Sequence, residues 1–263
     1  MKEVRTLETL VSALEKDPKV LAERMNLESP AIIINQTNEQ GYLEFEYKGY
    51  PIRAYHFAER GVGLSRNNAL LRGREDILLF SDEDIVYEDG YGERVLEAFR
   101  QRPKADILLF NFTVCAERAT YWIQKEHRVR FYNSGRYPAY SCAVRRESLQ
   151  KANVAFSLLF GGGAAYSNGE DSLFFRECLK KGLKIYALPI LLGREEPRPS
   201  TWFKGYTKKF FFDRGVLYFF LYGKLRYVMA LRFLLTYRKK MCKEIGLAKA
   251  YGLMCAGMKE AKA

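Results

Sequence analysis

The chain has 263 residues, which is enough for one large α/β domain or two small ones around a sizeable core. Hydrophobic residues at 48% and charged residues at 28% exclude wholesale disorder. The five cysteines are scattered, without the even count of a disulfide framework or the CxxC spacing of a zinc site. The two histidines, His56 and His127, argue against His-based catalysis. We therefore expect a protein of a reducing, cytoplasmic compartment.

Neither a signal peptide nor a membrane-spanning helix is expected. The opening residues MKEVRTLETL lack the apolar stretch of a signal peptide. A spanning helix needs about 20 apolar residues, and the most apolar segment, 215–235, is interrupted by Lys224, Arg226 and Arg232. The sequence therefore predicts a chain that does not cross the bilayer.

The positive charge is concentrated at the carboxyl-terminal end. Residues 204–263 carry +11 of the formal net charge of +12, and the same segment is rich in Phe and Tyr. Basic and aromatic side chains together are typical of a membrane interface or of a nucleic-acid surface. The third interpretation is a helical extension whose rings pack on the main domain and whose basic face is solvated. We expect an anionic membrane surface as a possible partner and no nucleic acid.

In chain order, apolar and β-branched runs predict strands at residues 9–13, 30–35, 42–47, 52–57, 76–80, 107–110, 121–132 and 184–189. Capping residues and helical patterns predict helices at residues 18–25, 65–71, 92–100 and 170–180. Asp17 and Pro18 form an N-cap and first-turn pair, and Ser65 is the expected cap of the second helix. Alternating strands and helices predict a mostly parallel α/β sheet with helices on both faces. In such sheets, ligands bind beyond the carboxyl ends of the strands.

The strongest local motif is Ser81-Asp82-Glu83-Asp84, directly after the predicted strand 76–80. Carboxylate oxygens at such an edge suit Mg²⁺ or Mn²⁺, and the ion would neutralise a diphosphate. The alternative interpretation is a solvated loop that caps the following helix.

A second motif, Gly63-Leu-Ser-Arg66-Asn67, lies at a predicted helix start. Backbone N–H groups and a guanidinium at that position can bind an anion. An ordinary capped helix with polar surface residues has the same pattern.

The third motif, 168–172, places Glu170 and Asp171 at a helix start after the glycine loop 161–163. Acidic residues are expected there from the helix dipole alone. A carboxylate beside an acceptor pocket can also serve as a general base.

Taken in order and with their spacing, the three motifs resemble family 2 glycosyltransferases of the GT-A fold. The matching stretches are GVGLSRNNAL (61–70), DILLFSDEDI (76–85) and NGEDSLFFRECLKKGLKIYALP (168–189). The resemblance covers roughly residues 8 to 190 and is closest to short bacterial members that build cell-surface polysaccharides. It divides the chain into a GT-A-like domain at residues 1–200 and a basic, aromatic-rich helical extension at residues 201–263.

The resemblance implies an inverting hexosyltransferase that depends on Mn²⁺ or Mg²⁺. Asp82 and Asp84 would hold the metal, with Glu83 as an alternative second ligand. Asp171 would be the catalytic base, with Glu170 beside it. The acceptor would be a hydroxyl of a glycan or of a lipid-linked molecule, and the enzyme would act in the cytoplasm or at the inner face of the membrane.

The donor would be a nucleotide sugar, with a UDP-sugar favoured because UDP is the commonest donor nucleotide in that family. The residues that would line its site are Asn35, Gln36, Gly63, Arg66, Asn67, Ser81 and Asp82. The sequence departs from the family at the end of the second strand, where Asn35-Gln36 replaces the usual aspartates. Trp202 and Tyr206 would either stack on a sugar or pack on the domain.

Three alternatives to this function remain. One is a non-catalytic module with a GT-A-like fold, and another is a nucleic-acid-binding or polyanion-binding protein that uses the basic tail. A sugar nucleotidyltransferase is the third, although the stretch 6–16 lacks the glycine-rich phosphate loop usual there.

Overall fold

The computed structural model describes residues 5–115, 119–196 and 205–262. The strands of its single large sheet are β1 (Leu7–Leu14), β2 (Ala31–Gln36), β3 (Gly41–Tyr47), β4 (Tyr50–Phe57), β5 (Ile77–Asp82), β6 (Ile85–Tyr87), β7 (Ile107–Thr113), β8 (His127–Arg128), β9 (Cys142–Arg145) and β10 (Ile185–Glu195). The helices are α1 (Pro18–Arg24), α2 (Val62–Arg72), α3 (Tyr91–Gln101), α4 (Arg146–Ala152), α5 (Glu170–Lys180), α6 (Lys208–Tyr222), α7 (Arg226–Met241) and α8 (Leu247–Glu260).

The sheet runs in the order β3-β4-β2-β1-β5-β9-β7-β10-β6, with β8 paired to β10. Strands β4, β2, β1 and β5 are parallel neighbours, and β7 and β10 pair in parallel. Strand β9 lies antiparallel between β5 and β7, so these two groups of parallel strands share one direction. Their carboxyl ends therefore meet at one edge, and the predicted mostly parallel sheet is confirmed.

Helices cover both faces of the sheet, as predicted. One apolar core joins the sheet to α1 and α3 through residues such as Leu21 and Phe99. The other joins it to α2, α4 and α5 through residues such as Leu149 and Phe175. Successive side chains of a strand point to opposite faces, and within β1 Val11 accordingly lies in the first core and Leu10 in the second. The chain thus has the layered α/β architecture that its pattern indicated.

Most predicted elements are present, with differences at the start of α2, at β9 and α4, and at residues 121–132. Helix α2 begins at Val62 rather than at Ser65, because Gly61 adopts a φ of 137° at the N-cap position. The Ser65 hydroxyl is then free to donate to Ser12 Oγ, 3.0 Å away. Strand β9 was not predicted, because its four residues are too few to show a period. The adjoining helix α4 was not predicted either.

Of the one or two irregular strands predicted at residues 121–132, the structure has one short strand, His127–Arg128, which pairs with β10. The predicted extent is therefore wrong. The side chain of Asn111 instead donates to the backbone oxygen of Ile123 and accepts from its N–H, both at 2.9 Å. One side chain therefore supplies the hydrogen bonds that a strand ladder would have provided.

The carboxyl-terminal helices α6, α7 and α8 enclose a third apolar cluster, which includes Phe211, Leu217 and Met254. The predicted division at residue 200 and the side chain of Trp202 both lie outside the described residues. In the part of the chain that is described, no helix is long and apolar enough to cross a membrane. Helices α6 and α8 approach closely: a Cβ added at Gly257 would lie 2.1 Å from the backbone oxygen of Phe212.

This close approach predicts a sharp contrast between two glycines of α8. Gly257→Ala should destabilise the protein by about 1–3 kcal/mol, because the new methyl group must push two backbones apart. Gly252→Ala is the matched control, since nothing lies within 4 Å of the added carbon. It should stabilise the protein by about 0.5–1 kcal/mol through helix propensity. Urea denaturation of both variants measures the difference, and equal midpoints would contradict the packing described.

Candidate active site

The three sequence motifs meet at the guanidinium of Arg66. On α2, Arg66 directs Nη2 to Asp82 Oδ1 at 3.0 Å, at the end of β5. Its Nη1 donates to Asp171 Oδ1 at 2.7 Å and to Glu170 Oε1 at 3.2 Å, both in the first turn of α5. The ring of Phe156 lies against the same guanidinium, 5.3 Å from Cζ to centroid. The structure therefore brings together four of the predicted site residues.

The cluster is buried and carries an excess of negative charge. The Arg66 side chain is 4% exposed, whereas the side chains of Asp82 and Asp171 are 27% and 22% exposed. Burial disfavours a charged guanidinium, but the three carboxylates outweigh it and raise the pKa of Arg66. Arg66 is therefore protonated at any physiological pH. One positive charge faces three carboxylates, which leaves the site suited to a further cation.

Asp171 has the protonation behaviour of a general base. Burial raises its pKa to about 7, and the negative charges of Glu170 and Asp82 add to this effect while Arg66 opposes it. Its Oδ2 accepts a hydrogen bond from the backbone N–H of Ala139 at 3.1 Å. The carboxylate is thus fixed at both oxygens, and each oxygen keeps a second lone pair for an acceptor proton. A pKa close to neutrality is what general-base catalysis at physiological pH requires.

The glycine loop before α5 is packed on the start of α2. A Cβ at Gly161 would lie 2.9 Å from Glu170 Cδ, and one at Gly163 would lie 3.0 Å from the backbone N of Gly61. The backbone N–H of Val62 donates to Gly162 O at 2.9 Å. Glycine is needed at these positions because a side chain has no room there. The loop thereby sets the position from which Glu170 and Asp171 enter the site.

Several side chains predicted at the donor site make hydrogen bonds within the chain. Asn35 donates to the backbone oxygen of Lys16 at 2.6 Å, and Gln36 Oε1 accepts from the N–H of Gly61 at 2.7 Å. Asn67 holds the backbone of Phe156 through two hydrogen bonds, of 2.9 and 2.8 Å. These amides connect loops at the carboxyl edge of the sheet.

Two other residues predicted at the donor site are tightly packed. A Cβ at Gly63 would lie 2.4 Å from the backbone oxygen of Ser157. Ser81 is buried, and its hydroxyl donates to the backbone oxygen of Asp82 at 3.3 Å. Tyr206, offered as a sugar-stacking residue, packs edge-on against Phe210, with ring centroids 5.2 Å apart. Direct contact with a nucleotide sugar stays a prediction for all seven residues assigned to the donor site: Asn35, Gln36, Gly63, Arg66, Asn67, Ser81 and Asp82.

The acidic motif divides between two surroundings. Asp82 faces Arg66, whereas Glu83 Oε2 accepts from the backbone N–H of Leu14 at 2.6 Å and Glu83 Oε1 lies 3.8 Å from Lys16 Nζ. Asp84 is buried, at 5% exposure. The Glu83 carboxylate is therefore held at the end of β1 by its hydrogen bond with the Leu14 N–H.

Residues that the sequence analysis missed complete this edge. Burial raises the pKa of Tyr140, and the charges of Glu195, Asp82 and Asp84 raise it further. Glu195 is therefore close to the acidic motif. It ends β10, the last parallel strand. The rule that located Asp82, an acid at the carboxyl end of a buried strand, would have found Glu195 as well.

The acidic edge has the kind of oxygen atoms that bind a divalent cation together with a diphosphate. Among the described residues, no three His, Cys, Asp or Glu side chains form a ready-made cation site. Mg²⁺ commonly binds through one or two carboxylates and completes its shell with phosphate oxygens and water. Asp82 and Asp84 supply hard oxygen atoms of that kind.

The layered sheet and the motifs at its carboxyl edge are those of the GT-A fold. Residues 36–152 match the family described as glycosyl transferase family 2. The resemblance found in the sequence is confirmed by this match.

Solved structures of the same architecture are distant in sequence. The first 349 residues of S. aureus TarS, in complex with UDP-GlcNAc, are 12% identical, with a TM-score of 0.62 over 91% of this chain and 74% of that one. The mannosyltransferase PcManGT from Pyrobaculum calidifontis, in complex with GDP-Man and Mn²⁺, is 11% identical, with a TM-score of 0.50 over 99% of this chain and 78% of that one. At such identities the likeness shows the fold. No curated protein matches the chain in sequence.

Substitution of Arg66 should reduce the stability of the protein by an amount that depends on pH. Arg66→Met leaves three half-buried carboxylates without their cation, which should cost about 2–4 kcal/mol at pH 8. The loss should shrink at pH 5, because Asp171 is then protonated and needs no counter-charge. Arg94→Met is the control, since Arg94 pairs with the exposed Glu88 and should cost less than about 1 kcal/mol. Denaturation at the two pH values checks this, and a loss independent of pH would contradict it.

Proposed function

We propose that the chain is an inverting glycosyltransferase that moves a sugar from a nucleotide sugar to a hydroxyl of a glycan or lipid-linked acceptor. The observation that carries the proposal is the placement of Asp171, whose pKa of about 7 suits proton transfer, beside an acidic edge at the carboxyl ends of the parallel strands. Synthesis of a cell-surface polysaccharide, on the cytoplasmic side of the membrane, is the setting we propose. The family match supports the reaction class.

The donor would bind over the acidic edge. Asp82 and Asp84 would hold Mn²⁺ or Mg²⁺, which when bound supplies positive charge to the leaving diphosphate. A UDP-sugar is our first choice of donor, and the solved TarS complexes with UDP-GlcNAc and with UDP support it. The GDP-Man complex of PcManGT makes GDP the alternative.

Asp171 would carry the proton transfer. Its carboxylate takes the proton from the acceptor hydroxyl while that oxygen attacks the anomeric carbon. The bond from the anomeric carbon to the diphosphate breaks on the opposite face, so the configuration inverts in one displacement. Arg66 and the N–H of Ala139 fix the carboxylate in one orientation, which reduces the cost of aligning it with the acceptor.

Removal of the base should abolish turnover and leave donor binding intact. Asp171→Asn keeps the shape and a hydrogen-bond acceptor for Arg66, and we expect kcat to fall by about 10²–10⁴-fold. In the unmodified enzyme, kcat/KM should rise about tenfold per pH unit up to about pH 7 and then level off, because only the deprotonated carboxylate accepts the proton. Initial rates with a UDP-sugar between pH 5 and 9 measure both effects.

The control for this variant is Glu177→Gln, an exposed acid on the same helix α5, which should retain the activity and the pH profile. Near-normal turnover of Asp171→Asn with donor bound would show that another group is the base. A flat profile across pH 7 in the unmodified enzyme would do the same.

The metal assignment predicts a contrast within the acidic motif. In a thermal-shift screen of UDP, GDP, CDP and their sugars, the correct nucleotide at 100 times its Kd should add about 2.7 kcal/mol of stability, and only with Mn²⁺ or Mg²⁺. Asp84→Asn should remove the metal-dependent part. Glu83→Gln should keep it, because the Gln amide oxygen can still accept from the Leu14 N–H.

The opposite ranking of the two variants would assign the metal to Glu83. If no nucleotide stabilises folded protein with or without metal, the non-catalytic GT-A-like module becomes the better interpretation.

A further inference from the structure

Helix α7 exposes an apolar stripe to solvent. Tyr227, Val228, Leu231 and Leu235 point away from the third core and fall within an arc of about 100° on a helical projection. Val228 is 66% exposed and Leu235 is 49% exposed. We name this stripe the α7 face. Ala230 and Leu234 of the same helix are buried in the third apolar cluster, so the orientation of the helix is fixed by packing.

The charged residues of α7 that border the α7 face are all basic. Arg232, Arg238 and Lys239 are exposed and lie on or beside the same arc at 100° per residue. The helix, RYVMALRFLLTYRKKM, contains no acidic residue. Aliphatic groups flanked by cations on one side of a helix are typical of helices that lie in a membrane interface.

The chemistry of the face separates the candidate partners. A nucleic acid would be met by rings that stack on bases, whereas three of the four side chains of the face, Val228, Leu231 and Leu235, are aliphatic. A second copy of the same face would set the three cations against their own equivalents. An anionic bilayer matches both the aliphatic stripe and the basic residues beside it, because its acyl region buries aliphatic groups and its headgroups attract cations. We propose that the α7 face docks on the surface of an anionic lipid bilayer.

Exposed apolar side chains also lie on and beside the loop that leads into α5. Phe220, which is exposed near the end of α6, packs against Phe160 with ring centroids 6.0 Å apart. The next residue, Gly161, lies against Glu170. Leu158 and Leu159, at the start of the same loop, are 59% and 54% exposed.

The test is co-sedimentation of the full chain with vesicles, without donor or metal. The protein should pellet with phosphatidylglycerol–phosphatidylcholine vesicles and remain in solution with pure phosphatidylcholine. Replacing Arg232, Arg238 and Lys239 by Gln should weaken the partition coefficient on the order of 100-fold. The control removes the same charge elsewhere, by replacing the exposed Lys104, Lys125 and Lys181 with Gln, and should retain most of the binding.

The apolar part of the face is tested separately. Leu231→Gln with Leu235→Gln should reduce vesicle binding at least tenfold, even at low salt. Val20→Gln with Leu71→Gln, which changes two exposed apolar residues of α1 and α2, should leave it unchanged.

Native binding by the Leu231/Leu235 variant would overturn the proposal, because the stripe would then not touch the bilayer. No binding to anionic vesicles, or equal binding to a single-stranded oligonucleotide, would overturn it as well. Because no donor is present, failure here leaves the proposed transferase reaction untouched, and failure of turnover leaves the docking face untouched.

Discussion

The buried ion cluster around Arg66 is the interaction on which the site depends. Its hydrogen bonds join residues 16, 104 and 105 positions apart in the sequence. Taking a guanidinium and carboxylates out of water costs free energy that is recovered only when all the partners are in place. Helix α2, the end of β5 and the start of α5 are therefore held in one arrangement. That arrangement sets the pKa of Asp171 by balancing burial and two neighbouring acids against one cation.

The carboxyl-terminal helix α6 also contacts the loop that precedes α5. Asp213 of α6 is buried and accepts from the backbone N–H of Ser167 at 3.0 Å, while Lys209 donates to Ala165 O at the same distance. A Cβ at Gly169, the residue before Glu170, would lie 2.6 Å from the side chain of Leu217. The loop that leads into Glu170 and Asp171 is thus held between α2 on one side and α6 on the other. This gives the basic segment a structural connection to the site.

Local patterns predicted much of the fold and part of the site. The apolar run of β5, the cap pair before α1 and the acids at the start of α5 gave those elements correctly, because each signal lies within a few residues. The non-strand backbone at Ile123 and the real start of α2 depend on Asn111 and Gly61, through contacts or backbone angles that no local pattern contains. The pairing of Arg66 with Asp82 and Asp171 is of the same kind, since sequence placed all three at one edge but not in contact.

A direct titration of the Asp171 carboxyl group tests the central claim, which is that the Arg66 cluster holds this acid poised near neutrality. Carbon-detected NMR of the protein labelled at aspartate side chains, with Asp171→Asn used to assign the resonance, would follow that carboxyl from pH 4 to pH 9. The cluster described here predicts a midpoint close to 7. It also predicts a higher midpoint in Arg66→Met, because the cation that opposes the rise is then gone. A midpoint near 4, unchanged by that substitution, would contradict the account.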